Sequence, residues 1–229
     1  MIGFTNGLVA LLATDAPALP DTWVMRLGLT AGWALVIALL GVVLGYKLAP
    51  GARRLLAMAL VLWTLVPGPV SPDYWLGLAF HAPSLASMLL CGWGLQRLLF
   101  PSRFSATSSP TRYKPLAGTW LLGLLCLPVA LGYLLLLDTF AVLPLQLYAW
   151  GFSPVLLLGL LGVSLLPWLL CGKPAGSRVP LNWMAPASLL LFAATRLPTG
   201  NVWDALLDPW LWLVLQGLLV HRLYRQWRD

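Results

Sequence analysis

The residues of this sequence whose side chains could do chemistry lie in short segments between long apolar runs. The set combines carboxylates, one histidine, one arginine, one tyrosine and one amide: Asp73, Tyr74, His81, Asp138, Arg196, Asn201, Asp204 and Asp208. Ionisable groups are expensive inside a bilayer, and those found there commonly serve a function. We therefore predict that these residues line one ligand-binding site at one face of the protein, with Gln146 and Tyr148 in the same layer.

Arg196 is the sharpest of these candidates, because it follows the apolar run 188–195 and is one of two basic residues on the acidic side of the predicted topology. Two interpretations remain open. The guanidinium forms a salt bridge to Asp138, Asp204 or Asp208, or it contacts an anionic group of a ligand or lipid.

His81 lies inside a predicted span, and Pro83 two residues later should loosen the helix and free backbone carbonyls. A hydrogen-bonded packing histidine is one interpretation. Proton handling or ligand contact is the other.

Asp204 and Asp208 are four residues apart, so they share a helical face if the last helix begins that early. Paired carboxylates can share a proton, as in acid–base sites. The segment 200–204, Gly-Asn-Val-Trp-Asp, resembles the G-N-x-x-D stretch of lipoprotein signal peptidases, which are intramembrane aspartyl proteases. The resemblance covers five residues, and the second catalytic aspartate motif of that family has no match around Asp73 or Asp138.

Other chemistries lack their sequence signatures. The chain has no P-loop, GxSxG, HExxH or Rossmann fingerprint, and Cys91, Cys126 and Cys171 form no CxxC or metal-type spacing. His81 and His221 belong to opposite ends of the predicted bundle, so they cannot ligate one haem. We predict no metal site; the cofactor and any catalytic residue stay open.

The amino-acid composition indicates that lipid, and not water, surrounds most of this chain. Of 229 residues, 60% are hydrophobic and 9% are charged, with a mean hydropathy of +0.85, whereas soluble domains are about 25% charged. The apolar runs are continuous and Leu-rich, which excludes a barrel. The net charge of +7 comes from short basic clusters between apolar runs, which are typical of topology signals and not of a nucleic-acid surface.

The fold class predicted is all-α, a polytopic transmembrane helical bundle of about seven spans (six to eight) with short interfacial or re-entrant segments. The whole chain, 1–229, is one integral membrane domain, and 1–26 form an extracytoplasmic or interfacial segment. Spans are expected near 27–47, 55–70, 74–97, 115–138, 153–171, 183–197 and 209–224, with a surface segment at about 140–152. Asp208 and Pro209 are predicted as N-cap and first residue of the last helix.

Charge distribution predicts the orientation. Of the 14 basic residues, all but Arg26 and Arg196 fall on alternate loops, whereas the acids fall on the opposite loops, with Asp229 as the exception. Basic loops are retained in the cytoplasm. We therefore expect a multi-pass protein of the bacterial inner membrane, with its N-terminus extracytoplasmic and its C-terminus cytoplasmic.

A stripe of small residues on the first span, Ala34, Ala38, Gly41 and Gly45, permits close approach of another helix. Its partner is another helix of this chain or a different subunit.

Three functions are compatible with these patterns. The leading hypothesis is binding or transport of a small solute at the outward polar site. The alternatives are a non-catalytic accessory or assembly subunit of a larger inner-membrane complex, and a membrane-embedded enzyme that acts on a lipid or peptide at the outer face. The partners expected are the bilayer, a small-molecule ligand and other membrane subunits, with no nucleic acid.

Overall fold

The computed structural model describes residues 17–101, 116–142, 146–171 and 181–228, and in these ranges the chain is helical without strands. This confirms the all-α class. The described helices are α1 (Thr22–Leu44), α2 (Pro50–Thr64), α3 (Pro72–Ala79), α4 (Leu85–Leu99), α5 (Leu116–Thr139), α6 (Leu147–Trp150), α7 (Pro154–Cys171), α8 (Leu181–Thr195), α9 (Val202–Leu206) and α10 (Pro209–Arg228).

The length and apolarity of α1 make it a candidate membrane span. Among the described residues it is the one helix that passes both criteria, and the shorter apolar helical stretches are Leu85–Leu99, Leu125–Thr139, Pro154–Leu166 and Trp183–Thr195. The number of spans therefore stays a prediction. Residues 1–16 of the predicted N-terminal segment lie outside the described residues.

The predicted third span, 74–97, is not one helix. α3 ends at Ala79, Phe80 is extended, and α4 begins only at Leu85. The proline at 83 has no backbone N–H to continue the ladder, and Ser84 starts a new helix as its N-cap, accepting a hydrogen bond from the Ser87 N–H at 3.1 Å. A continuous helix was wrong here because a proline followed by a cap residue ends one helix and begins another.

The chain before α10 is interrupted in the same way. α9 ends at Leu206, Leu207 is extended, and α10 begins at Pro209. Asp204 and Asp208 therefore do not share one helical face. The predicted cap is confirmed, since Asp208 Oδ1 accepts from the Leu211 N–H at 2.8 Å.

One packing centre lies where α1, α2 and α4 meet, and its buried members are Ala38, Val42, Ala57 and Leu95. The small-residue stripe of α1 faces α2 there. A Cβ placed on Gly41 would overlap the Leu60 side chain, and Ala38 is 0% exposed. Small side chains let the two helices approach closely, so this stripe is occupied by a helix of the same chain.

A second packing centre joins α4, α7, α8 and α9. Its buried members are Leu85, Leu157, Leu189, Phe192, Leu197, Val202, Trp203 and Ala205. The short helix α9 contributes three of these, so the connector between α8 and α10 is folded into the core and is not a loose surface loop.

A third region is formed by α5 and α10, which pack against each other. Tyr133 Oη donates to Gln216 Oε1 at 2.9 Å, and Trp212 Nε1 donates to the Val129 carbonyl at 3.1 Å. The Trp212 indole lies against Gly132, where a Cβ would overlap the ring. This pair is joined by polar contacts as well as by apolar packing.

Large hydrophobic side chains cover much of the exterior of the described helices. Leu55 and Leu62 on α2 are 65% and 62% exposed, and α10 has no buried residue. Proteins dissolved in water rarely expose apolar patches of this extent. Large apolar side chains therefore make up much of the described surface.

Candidate functional site

The Asp208 carboxylate lies where the two helix interruptions meet. Oδ2 accepts from the Ser84 N–H at 2.8 Å and from the Ser87 hydroxyl, while Oδ1 caps α10 through Leu211. The Ser84 and Ser87 hydroxyls are 3.0 Å apart. Asp208 is 8% exposed and stands at the N-termini of both α4 and α10, where helix dipoles favour a negative charge. The carboxylate thus connects the starts of two helices.

Helix lengths locate this group along the bundle axis. Arg97 is 13 residues after Ser84, and His221 is 13 residues after Asp208, which places the first basic residue of each helix about 20 Å away at about 1.5 Å per residue. On the opposite side, Gly32 of α1 packs against Pro83. Gly32 is six residues after Arg26, so the Ser84 level is about 9 Å from that arginine along α1.

Asp73 belongs to a separate polar group at the start of α3. Its carboxylate accepts from the Thr30 hydroxyl of α1 at 2.7 Å and from the Ser71 hydroxyl. Ser71 Oγ also lies 2.8 Å from the Thr64 carbonyl at the end of α2. Asp73 therefore joins the start of α3 to the middle of α1 and, through Ser71, to the end of α2.

Tyr148 is the centre of a third group and makes hydrogen bonds to three residues from two segments, α5 and α9 with its N-cap. Its N–H donates to Asp138 Oδ2, its carbonyl accepts from Asn201 Nδ2, and its hydroxyl donates to Asp204 Oδ2. These distances are 2.8, 2.9 and 2.8 Å respectively. The Thr199 hydroxyl also donates to Asp204. The structure thus brings together Asp138, Asn201 and Asp204 through one tyrosine of the predicted surface segment.

Close backbone contact holds this group in place. The Val202 N–H donates to the Gly151 carbonyl at 2.9 Å, and a Cβ on Gly151 would overlap Asn201 Oδ1. Asn201 is fully buried and caps α9 by accepting from the Trp203 N–H at 3.0 Å. A larger residue at 151 would displace the cap.

The pKa of the Tyr148 hydroxyl is raised well above its ordinary value. Partial burial is the largest cause, followed by the hydrogen bond to Asp204 and the negative charge of that carboxylate. Tyr148 therefore stays protonated and keeps donating to Asp204 at ordinary pH.

Three predicted site residues lie apart from these groups. His81 is exposed in the break between α3 and α4, and Tyr74 is exposed with its ring edge against Trp75. The Arg196 guanidinium lies 5.4 Å from the Phe192 ring centroid. Among the residues that the structure describes it forms no ion pair with Asp138, Asp204 or Asp208.

The eight predicted residues are therefore distributed over three hydrogen-bonded groups and three separate positions. Sequence reasoning missed the hydroxyl partners, above all Ser84 and Ser87. Ser84 had a signal, since a serine directly before an apolar run is typical of a helix N-cap, whereas Ser87 had none.

In the described part of the chain, no group of three or more His, Cys, Asp or Glu side chains has the arrangement of a metal site. Cys91 and Cys126 are free, half-buried thiols. In the described part of the chain, the polar groups join separate helices and connectors: each carboxylate other than Asp21 accepts hydrogen bonds from donors of the chain itself.

The chain matches no protein-family model, no curated protein sequence and no solved structure.

Proposed function

We propose that this chain is a multi-pass protein of the bacterial inner membrane that serves as a non-catalytic accessory or assembly subunit of a larger membrane complex. The observation that carries the proposal is the use of Asp73, Asp138, Asp204 and Asp208 as hydrogen-bond acceptors for backbone and side-chain donors of the chain itself. Carboxylates engaged in this way stabilise a fold; a solute or a reacting bond would have to compete with those donors.

The membrane placement rests on the apolar exterior and on the pairing of connectors. Asn201 Nδ2 donates to the Tyr148 carbonyl at 2.9 Å between two connectors predicted outside, while Arg54 Nε donates to the Leu99 carbonyl at 3.1 Å between two connectors predicted inside. Connectors assigned to one side by charge thus contact each other. With α1 crossing in one direction and α2 returning, this supports about seven crossings, with the N-terminus outside and the C-terminus inside.

A native gel of mildly solubilised membranes tests the accessory role. The chain has a mass of 24.9 kDa, and an accessory subunit is expected to migrate with a far larger complex whose other members are missing or reduced when this chain is deleted. Migration as a free chain, with every membrane complex unchanged by the deletion, contradicts the role. Alkaline carbonate extraction tests the placement separately, since an integral protein stays in the pellet.

A second function, small-solute binding or transport, is favoured by one specific observation. Two helix interruptions meet at Asp208, and broken helices whose N-termini converge form the ion and substrate sites of many transporters. Arg97 and His221 are placed at the inner edge of a hydrocarbon core of about 30 Å. The Asp208 carboxylate, about 20 Å from both along the helices, then lies about 10 Å inside the outer edge. That agrees with the distance of about 9 Å from Arg26 along α1.

The Asp208→Asn variant distinguishes the two functions. Asparagine also caps helices, so an accessory subunit should assemble normally with this variant. A coupling carboxylate should not tolerate the change, and sodium-dependent or proton-dependent protection of the purified chain against heat should disappear. The enzyme hypothesis would instead predict loss of lipid or peptide cleavage in Asp204→Asn with normal assembly.

A further inference from the structure

The cytoplasmic end proposed for α10 carries a cationic hollow. His221, Tyr224, Arg225 and Arg228 line a space of about 510 Å³. His221, Arg225 and Arg228 follow at intervals of four and three residues, so they project from one face of the helix. The carboxylates that the structure describes all belong to the opposite end of the bundle, so the described part of this face carries basic side chains without acidic ones.

The side chains of the hollow suit a phosphate group. The Arg228 guanidinium lies 5.7 Å from the centroid of the Tyr224 ring. A guanidinium over an aromatic face keeps its N–H donors in its own plane, where they can meet phosphate oxygens. Arg225 adds a second planar donor group, and arginine binds phosphate in a bidentate fashion.

The depth of the hollow relative to the hydrocarbon core follows from the position at which α10 begins. Asp208 fixes the start of the helix against α4, and His221 lies about 20 Å further along. Arg225 and Arg228 are 17 and 20 residues after Asp208, which is about 25 Å and about 30 Å. With Asp208 about 10 Å inside the outer edge of a core of about 30 Å, both arginines lie about 5–10 Å beyond the inner edge, at the headgroup level.

Exposed aromatic residues mark the same level. Tyr224 is 54% and Trp227 86% exposed, and tyrosine and tryptophan are favoured at the boundary between hydrocarbon and headgroups. These aromatic residues support a position of the hollow at the level of the phospholipid phosphates.

We propose that this hollow is a binding site for the phosphate of an anionic phospholipid of the inner leaflet. The proposal rests on the membrane placement under Proposed function, though not on the accessory role. Charge complementarity identifies the occupant, because a basic segment next to the bilayer attracts anionic lipid in preference to zwitterionic lipid.

The test uses the full chain in mild detergent, titrated in mixed micelles with phosphatidylglycerol, phosphatidylcholine or inorganic phosphate. Lipid retained by the protein is measured by native mass spectrometry, and stabilisation by the shift of Tm. We expect phosphatidylglycerol to be retained and to raise Tm, whereas phosphatidylcholine and inorganic phosphate do neither.

The variant R225Q/R228Q is expected to bind phosphatidylglycerol about 30-fold more weakly, since each arginine near an anionic surface contributes about a fivefold preference. R225K/R228K keeps the charge and should retain most of the selectivity. Arg26→Gln removes an exposed charge from the opposite end and is the matched control. If the double variant does not fold, Arg225→Gln and Arg228→Gln alone are each expected to weaken binding about fivefold.

Equal retention of the two lipids by the unaltered chain, or unchanged selectivity in R225Q/R228Q, would overturn the proposal. Displacement of phosphatidylglycerol by inorganic phosphate at equal concentration would show a free-anion site and overturn the lipid assignment. Carbonate extraction distinguishes failure of the membrane placement from failure of the lipid site. A chain released from membranes contradicts the membrane placement, whereas a chain that stays but does not select anionic lipid contradicts this inference alone.

Discussion

Two regions of the molecule are held together by different forces. Where α1, α2 and α4 meet, Ala38, Val42 and Ala57 are buried and small side chains allow close helix contact. At the opposite end, the connectors around Tyr148, Asn201 and Asp208 form a cap joined by hydrogen bonds to carboxylates and helix ends. Close packing needs only complementary shape, whereas the cap needs each polar group to meet its partner. We therefore expect the cap to be the more sensitive region.

The largest effect is expected for Asp208→Ala. The change leaves the N–H groups of Ser84 and Leu211 without their acceptor and removes a helix cap, which should lower the free energy of unfolding by about 3 kcal/mol. Denaturant unfolding in detergent measures this. Asp21→Ala is the control, because Asp21 is exposed and makes no capping hydrogen bond; equal losses in the two variants would contradict the assigned role.

Gly151→Ala sharpens the comparison within the cap. The added methyl would overlap Asn201 Oδ1, and Asn201 is buried and caps α9. We expect a loss of about 2 kcal/mol from overpacking. Gly162→Ala in α7 has no neighbour within 4 Å and should be neutral or stabilising. A stable Gly151→Ala protein would show that the contact between residues 151 and 201 is dispensable.

Ala38→Leu tests the bundle by the same logic. Ala38 is fully buried, so the larger side chain must push α1 away from α2 and α4, at about 1–2 kcal/mol. Gly92→Leu on α4, where a Cβ meets nothing within 4 Å, is the matched control. If both variants unfold at the same denaturant concentration, the stripe does not carry the packing assigned to it.

Alkaline pH should affect the two regions differently, because the cap contains a tyrosine whose pKa is raised. The neutral Tyr148 hydroxyl donates to Asp204, so its contribution to stability is complete below the ordinary tyrosine pKa and is lost as pH rises through the folded-state value. Tyr148→Phe should be less stable than the unaltered chain at neutral pH, by under about 1 kcal/mol for a partly exposed group. The difference should shrink at strongly alkaline pH; a constant difference would rule out the linkage.

The smallest effect is expected for the α5–α10 pair. Gln216→Leu removes the acceptor of the Tyr133 hydroxyl, and such bonds between membrane helices contribute about 0.6 kcal/mol. A double-mutant cycle with Tyr133→Phe measures the coupling. A coupling near zero would assign the pairing to the Trp212 contact and apolar packing.

The sequence was sufficient for features that depend on local pattern. Apolar runs predicted the all-α class, and the Asp208–Pro209 pair predicted the start of the last helix, because N-caps and first-turn prolines act over a few residues. The segment 74–97, predicted as one span, is divided into two helices at Pro83 and Ser84. Pro83 and Ser84 are a local signal for a new helix, but the prediction followed the length of the apolar run instead.

Partnership between distant residues was decided by the tertiary structure alone. Asp204 and Asp208 are close in sequence, yet Asp204 accepts from Tyr148 and Asp208 from Ser84, since an extended residue at Leu207 separates their helices. Hydroxyls such as Ser87 and Thr199 carry no distinctive sequence signal. The sequence alone therefore determined which segments are helical and apolar, because hydrophobicity and capping are properties of neighbouring residues. Which carboxylate meets which donor depends on how the interrupted helices pack, and only the tertiary structure could decide it.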